Sequence, residues 1–315
     1  MVRQSLYAGM RMPDVQQLHL IFFGMEACAL FCTNNALVPG SCVLSVPPGK
    51  IRAILGEFLM ETAVVTPFQY SLIYNAFSFT FATMAATTVF LWFGRSQVSA
   101  AYRNAVTISG LVTAIAAYHY LRIFESWESA YHYVDGVVSA TGVAFNDAYR
   151  YVDWLLTVPL LLIELVLVMR LTREETVQKC WRLGLAAALM IVLGYPGEIA
   201  SDIPTRALWG TLSAIPFLYI VWELFSGLGK SIERQPESVR GLVKQARLLT
   251  FASWGFYPIV YMAPYANLAG PDVETVIQVG YTIADLVAKA GVGLLIFAIA
   301  SRKSEVEGHG VPHAA

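Results

Sequence analysis

The stretch VIQVGYTIADLVAKAGVGLLIFAIA, Val276–Ala300, is apolar over most of its length and carries two charges, Asp285 and Lys289, one helical turn apart. A helix of about 20 residues crosses the hydrocarbon core of a bilayer, so this run is long enough to span one. A charged side chain at mid-membrane costs at least about 2.5–3.5 kcal/mol, and such charges either pair with each other or serve chemistry. A lysine in an apolar pocket can also lose its proton and condense with an aldehyde. Two readings therefore stand open: a salt bridge that locks the last helix in register, or an amine that forms a Schiff base.

The rest of the chain is built the same way. Of 315 residues, 57% are hydrophobic and 14% charged, where a soluble domain carries roughly a quarter charged residues. This composition is that of an integral membrane protein. A formal net charge of −1 gives no footing for a nucleic-acid partner. The cysteines Cys28, Cys32, Cys42 and Cys180 make no metal-ligand pattern, and no metal is expected.

Seven apolar segments follow one another with short connections, at roughly 68–93, 101–124, 148–171, 180–200, 204–228, 242–266 and 274–300. Gly94-Arg95-Ser96 closes the first, Gly227-Leu228-Gly229 the fifth, and Ala269-Gly270-Pro271 separates the last two. The fold class is all-α, with one exception. Between the second and third helices, Tyr131, Tyr133, Val137 and Val138 flank Asp135-Gly136, a short β-hairpin signal. The domains expected are an N-terminal tail over 1–67, a seven-helix unit over 68–302 and a short C-terminal tail over 303–315. The tail before the helices is either a targeting segment, since Arg3 and Arg11 precede the apolar run Leu18–Met25, or an extracellular cap with a surface helix over Ile51–Val65.

Counting Lys and Arg in alternate loops sets the orientation. Arg95, Arg103, Arg170, Arg173, Lys179, Arg182, Lys230, Arg234, Arg240, Lys244, Arg247, Arg302 and Lys303 all fall on one side. The opposite loops hold only Arg122 and Arg206, although the tail before the first span adds Arg3, Arg11, Lys50 and Arg52. The C-terminus is expected to be cytoplasmic and the N-terminus extracellular, in a plasma membrane.

The third span places Asp153, Thr157 and Glu164 on one helical face, at spacings of four and seven. Asp153 and Glu164 stand about 16 Å apart along the axis, too far to pair with each other. With the orientation above, Arg150, Asp153 and Asp285 lie on the outer side of Lys289 and Glu164 on its inner side. A protonated Lys289 nitrogen between Asp153 and Asp285, with Arg150 balancing the second negative charge, is a complete buried electrostatic arrangement. A proton leaving that nitrogen would go outward, and its replacement would come from Glu164.

Arg150–Glu164, Asp285-Leu286-Val287-Ala288-Lys289 and Trp254-Gly255-Phe256-Tyr257-Pro258 together closely resemble the microbial (type 1) rhodopsins, in particular the proteorhodopsin and xanthorhodopsin branch, from about Phe68 to Arg302. The resemblance implies all-trans retinal in the bundle core, held on Lys289 as a protonated Schiff base. It implies Asp153 as proton acceptor and counterion, Asp285 as second counterion and Glu164 as donor, so that the protein is a light-driven outward proton pump rather than an enzyme. Asp153, Thr157 and Glu164 look like the outward-pump signature of that family. Trp154, Trp254 and Tyr257 look like the aromatic clamp on the polyene, beside the family's proline, Pro258. Leu161 falls at a colour-tuning position and resembles the green-absorbing forms.

His119 matches a histidine that bonds the acceptor carboxylate, although a lone intramembrane histidine is equally satisfied by a backbone carbonyl. Gly210 aligns with the glycine that opens a carotenoid window in xanthorhodopsin-like proteins, and small residues in membrane helices also let helices approach closely. Gly194-Tyr195-Pro196-Gly197-Glu198 is expected to shape the outer turn between the fourth and fifth spans. Partners implied are the lipid bilayer and further copies of the chain, as trimer or pentamer. The alternative function is a photosensory rhodopsin that signals to a partner protein; a donor at Glu164 speaks against it.

Overall fold

In lipid every backbone N–H and C=O must bond within the protein, so apolar runs of this length fold as helices. The structure is a computed structural model that describes residues 65–266, 268 and 270–308. The expectations placed on residues 1–64, including Cys28, Cys32, Cys42 and the run Leu18–Met25, lie outside the described residues.

Helix α1 (Pro67–Gly94) opens on Thr66, whose hydroxyl accepts from the Gln69 N–H at 3.2 Å while the Gln69 side chain accepts from the Thr66 N–H at 2.8 Å. Proline at the first helical position completes the start signal. Then come α2 (Arg103–Ala130), strands β1 (Tyr131–Val134) and β2 (Val137–Ala140), α3 (Ala148–Met169) and α4 (Arg173–Glu198). The chain continues with α5 (Ile203–Trp222), a π-turn over Glu223–Gly227, the short α6 (Gly229–Glu233) and α7 (Glu237–Tyr261). Helix α8 (Gly270–Asp285), a second π-turn (Leu286–Gly291) and α9 (Val292–Val306) form the last rod.

Six of these rods are long and apolar enough to cross a membrane, by length and composition. The α7 rod falls outside that set because its first half carries Glu237, Arg240, Lys244 and Arg247. It packs between its neighbours nonetheless, with Val239, Val243, Ala246 and Trp254 buried. The outer faces expose large apolar side chains, among them Phe93 at 77% and Trp181 at 75%, as expected of surface that lipid covers.

Several boundaries differ from those read in the sequence. Helix α4 starts at Arg173 rather than near 180, because Thr172 and Glu175 form a capping box ahead of it. Gly227-Leu228-Gly229 does not end the fifth rod, which continues through the π-turn to Glu233. Gly194–Glu198 is the end of α4 rather than a turn: Gly194 and Gly197 are buried in the helix, with Pro196 accommodated inside it. The connection follows at Ile199–Asp202, where the Asp202 carboxylate accepts from the Thr205 N–H at 2.8 Å. That bond to the α5 N-terminus holds the Asp202 pKa below the ordinary carboxylate range. The last helix runs to Val306, so residues 303–306 belong to the bundle and not to a tail.

The hairpin forms as read. Its strands pair antiparallel from Tyr131↔Ala140 to Val134↔Val137, and Asp135 (φ 50°) and Gly136 (φ 78°) make the two-residue turn with both φ positive. Aromatic rings fasten it to the bundle: Tyr131 lies 4.5 Å from Trp127, and Tyr70 lies 5.9 Å from Trp127 and 5.3 Å from Tyr133, centroid to centroid. The hairpin thus marks one end of the bundle, and the basic loops mark the other.

Because Gly136 holds a left-handed conformation that a β-branched residue resists by about 1–2 kcal/mol, Gly136→Val should loosen the hairpin. Thermal unfolding is expected at lower temperature, with faster amide exchange confined to 131–140.

Candidate functional site

Helix α3 supplies one wall of the site. Its 3.6-residue repeat buries Arg150, Asp153, Trp154, Thr157, Leu161 and Glu164 along the face that meets the last rod. The opposite wall is the junction of α8 with the π-turn Leu286–Gly291, from which Asp285 and Lys289 project inward. A π-turn at such a place is the usual mark of a helix adjusted for function.

Lys289 Nζ lies 2.8 Å from Asp153 Oδ2 and 2.5 Å from Asp285 Oδ1, all three side chains being at most 1% exposed. The two acids and the amine are therefore brought together as the sequence suggested. They differ in how well they are satisfied. Asp285 Oδ1 also accepts from Tyr257 Oη at 2.6 Å and Trp154 Nε1 at 3.0 Å, and its Oδ2 accepts from Tyr120 Oη at 2.8 Å. Asp153 Oδ1 is buried with no hydrogen-bond partner among the described residues. Thr157 spends its hydroxyl on the Asp153 backbone carbonyl, at 2.8 Å. Asp285 is thus a fixed, fully bonded carboxylate, whereas Asp153 keeps an oxygen in reserve.

Arg150 does not touch either acid. Its Nη1 donates to Tyr120 Oη at 3.2 Å and its Nη2 to Gln278 Oε1 at 2.5 Å, so it reaches Asp285 through the tyrosine. Gln278 Nε2 in turn donates to Glu274 Oε1 at 3.1 Å. Lys289, Asp285, Tyr120, Arg150, Gln278 and Glu274 form one continuous bonded chain toward the hairpin end. Sequence reasoning missed Tyr120, Gln278 and Glu274. The one available signal was polar residues inside apolar helices, and the partners come from two separate helices, α2 and α8.

A second buried pair at the same end was also missed. Arg206 Nη2 lies 3.1 Å from Glu198 Oε2, which also accepts from Tyr281 Oη at 3.1 Å and Tyr151 Oη at 3.3 Å. The Tyr281 ring packs edge-on against Trp154 at 4.9 Å, so this pair braces the aromatic floor of the site.

Glu164 lies in different surroundings. It is fully buried, and neither carboxyl oxygen forms a hydrogen bond of good geometry among the described residues; its polar neighbour, the Ser109 hydroxyl of α2, donates to the Ala105 carbonyl at 3.2 Å. Burial of a carboxyl in apolar surroundings costs less in its neutral, proton-carrying form than as a carboxylate.

His119 departs from the expected contact. Its Nδ1 bonds the Ile115 carbonyl at 2.9 Å, one turn back on α2, rather than the Asp153 carboxylate. In a membrane helix the preceding turn's carbonyl is within reach of any histidine, and here it takes that nitrogen.

An apolar cavity runs from Lys289 between α3, α4, α5 and α7. Trp154, Val158, Leu161, Met190, Phe217, Trp254, Tyr257 and Pro258 line it, and Gly210 stands at its edge. Trp154, Trp254, Tyr257, Pro258 and Leu161 are therefore brought together as expected. At Gly210 a Cβ would come within 2.8 Å of the Tyr261 ring, which packs directly on the glycine backbone. The cavity is walled by aromatic and aliphatic side chains, with Lys289 the one amine among its lining residues. It fits an elongated apolar molecule with a group that reacts with an amine at one end.

The Tyr120 hydroxyl links Arg150 to Asp285 in a buried site, and losing it leaves charged groups short of a partner at about 1–3 kcal/mol. Tyr120→Phe is expected to lower the thermal unfolding midpoint, and Gln278→Leu to do so as well. In the double variant the two effects should be less than additive, since both act on Arg150.

The chain matches the family model described as bacteriorhodopsin-like protein over residues 72–302. It is 31% identical over 236 residues to a green-light absorbing proteorhodopsin of Gamma-proteobacterium EBAC31A08, covering 73% of this chain and 88% of that protein. Among solved structures it is similar to xanthorhodopsin, described as a light-driven ion pump with dual chromophore, at 55% identity and a TM-score of 0.74, covering 78% of this chain and 98% of that one. A more distant relative is sensory rhodopsin-2 of Natronomonas pharaonis, 29% identical over 224 residues, 67% of this chain and 82% of that protein. A seven-helix bundle with one buried lysine between two aspartates, matched over most of its length, is a multi-pass membrane protein that belongs to the bacteriorhodopsin-like family.

Proposed function

We propose that this chain is a light-driven pump that moves protons outward, with retinal as its chromophore. The observation that carries the proposal is Lys289 lining an apolar, aromatic cavity, 2.8 Å from Asp153 and 2.5 Å from Asp285. The proteorhodopsin and xanthorhodopsin relatives support light as the energy source. The lining residues fit retinal: the walls suit a polyene, the amine suits its aldehyde, and Asp153 Oδ1 is an acceptor with spare capacity. When bound to Lys289 Nζ, retinal would supply light absorption and a geometric change at that nitrogen.

The chain's own groups then act in order. Asp153 takes the proton from Nζ, since it is in contact and less satisfied than Asp285. Asp285 stays ionised, held by Tyr120, Trp154 and Tyr257, and keeps a negative charge beside the nitrogen throughout. Arg150 stabilises that charge through Tyr120 and extends the bonded path toward the hairpin end. Glu164 returns a proton to Nζ from the other side, about 16 Å further along α3 than Asp153. Proton uptake and release on opposite sides of one nitrogen make transport vectorial. With the basic loops cytoplasmic and the hairpin end outside, transport is outward.

Two finer points belong to the same proposal. His119 tunes the acceptor from α2 rather than bonding it directly in the resting arrangement. Gly210, which lines the cavity, leaves this chain competent for a carotenoid antenna, in line with the dual chromophore of the xanthorhodopsin relative. A photosensory function is the second reading, favoured by the sensory relative, and Glu164 argues against it because a sensor needs no rapid reprotonation.

Illumination of retinal-supplied cells in unbuffered medium should acidify the medium, and a protonophore should abolish the change; alkalinisation enhanced by protonophore would mean that another ion moves. Lys289→Ala is expected to form no visible absorption band. Asp153→Asn should shift the band to the red and stop transport, because the nitrogen's charge loses a counterion. Glu164→Gln should keep its colour and slow recovery of the dark state, read by flash photolysis.

A further inference from the structure

Lys303 is only 4% exposed, and no step proposed above uses it. It sits near the basic end of the last rod, with its ammonium directed at the end of α3. Nζ donates to the Val168 carbonyl at 3.0 Å, the Met169 carbonyl at 3.4 Å and Gln235 Oε1 at 2.7 Å. Gln235, also buried, donates its Nε2 to the Met169 and Ser231 carbonyls, both at 3.1 Å. These bonds join three parts of the chain that are distant in sequence: the end of α3, the link between α6 and α7, and α9.

The arrangement follows from how α3 ends. A helix leaves its last carbonyls without intrahelical donors, and α3 stops at Met169 because Arg170 turns left-handed at φ 54°. Val168 and Met169 are four and five residues beyond Glu164, so the orphan carbonyls lie about 6–8 Å further along the axis. Lys303 and Gln235 cover the end of the helix that carries Glu164. The Lys303 ammonium also stands 5.1 Å over the Tyr102 ring, and Tyr102 and Arg170 both bind Glu307. The Ser304 hydroxyl accepts from the Ser99 N–H at 2.8 Å, which ties the same turn of α9 to the α1–α2 connection.

Glu164, fully buried and with neither oxygen in a hydrogen bond of good geometry among the described residues, must recover a proton from bulk water once per cycle. That proton has to pass the covered end of α3. We propose that Lys303 and Gln235 form a latch over Glu164, whose opening sets the rate at which this carboxyl is reprotonated. The inference rests on the pump assignment, and within it Lys303 is a positioning residue that acts on Glu164 through the end of α3.

The test is flash photolysis of the retinal-supplied full chain in lipid nanodiscs. The phase to follow is the proton uptake from bulk water that comes after Nζ is reprotonated, read with a pH-indicator dye beside the pigment. In Lys303→Met, which keeps an unbranched apolar stem but removes the ammonium and its three donors, that phase should run about tenfold faster, the effect of losing one charge-assisted bond on opening. Lys303→Arg should restore the original rate. Gln235→Leu should also accelerate uptake, and it carries the test if Lys303→Met yields no pigment. The absorption maximum and the earlier transfer to Asp153 should not move, because Lys303 lies about 21 Å along the rod from Lys289; general loosening of the bundle would change both. Unchanged or slower uptake in a normally coloured variant overturns the latch. If Glu164→Gln itself recovers at the original rate, the donor assignment fails first and the latch falls with it.

Discussion

The cost of holding an ammonium group inside a bilayer governs the architecture around Lys289. A single buried cation with no counter-charge would be expelled or neutralised. Two carboxylates meet it directly and an arginine balances the excess through a tyrosine, so four charges sum to zero within one hydrogen-bonded cluster. A buried ion pair of this kind adds little net stability, because desolvation offsets attraction, but breaking it leaves an uncompensated charge at a cost of about 3–5 kcal/mol. The cluster therefore fixes the relative placement of α2, α3, α7 and the last rod, all of which contribute groups to Asp285.

The same cluster is asymmetric along the bundle axis, and the proposed pump rests on that asymmetry. Toward the hairpin end, bonds run without interruption from Lys289 to Glu274, with Glu198 and Arg206 bracing the tyrosine floor beside them. Toward the basic end, Glu164 stands apart with no hydrogen bond of good geometry among the described residues, under a cap made by Lys303 and Gln235. Under the proposed function, a proton leaving the nitrogen meets bonded groups in one direction, and its replacement comes from Glu164 on the other side.

The two π-turns each carry a buried charged side chain that is paired across the bundle. The π-turn at Leu286–Gly291 contains Lys289 itself, and the one at Glu223–Gly227 is covered by Lys179, which pairs with Glu223 and donates to the Gly227 carbonyl. Backbone groups freed inside a membrane helix must be bonded again by neighbours, so such turns persist only where side chains from another helix reach them.

The sequence by itself determined the membrane class, the seven rods, the hairpin at Asp135-Gly136 and the stripe of Asp153, Thr157 and Glu164, because hydropathy, turn chemistry and helical period are local properties. It also placed Asp285 and Lys289 together, being one turn apart. What the tertiary structure decided depends on which side chains from distant segments meet. Arg150 bonds Tyr120 and Gln278 rather than an acid, His119 bonds its own helix at Ile115, and Gly194–Glu198 stays helical because Glu198 is claimed by Arg206, Tyr151 and Tyr281. Lys303 read as one more basic residue of a cytoplasmic tail, and only the packing of α9 against the end of α3 turned it inward. The bonds from Arg150 to Gln278 and from Lys303 to the Val168 carbonyl join residues more than a hundred positions apart and leave no periodic trace in the chain, so these partners could be read only from the folded bundle.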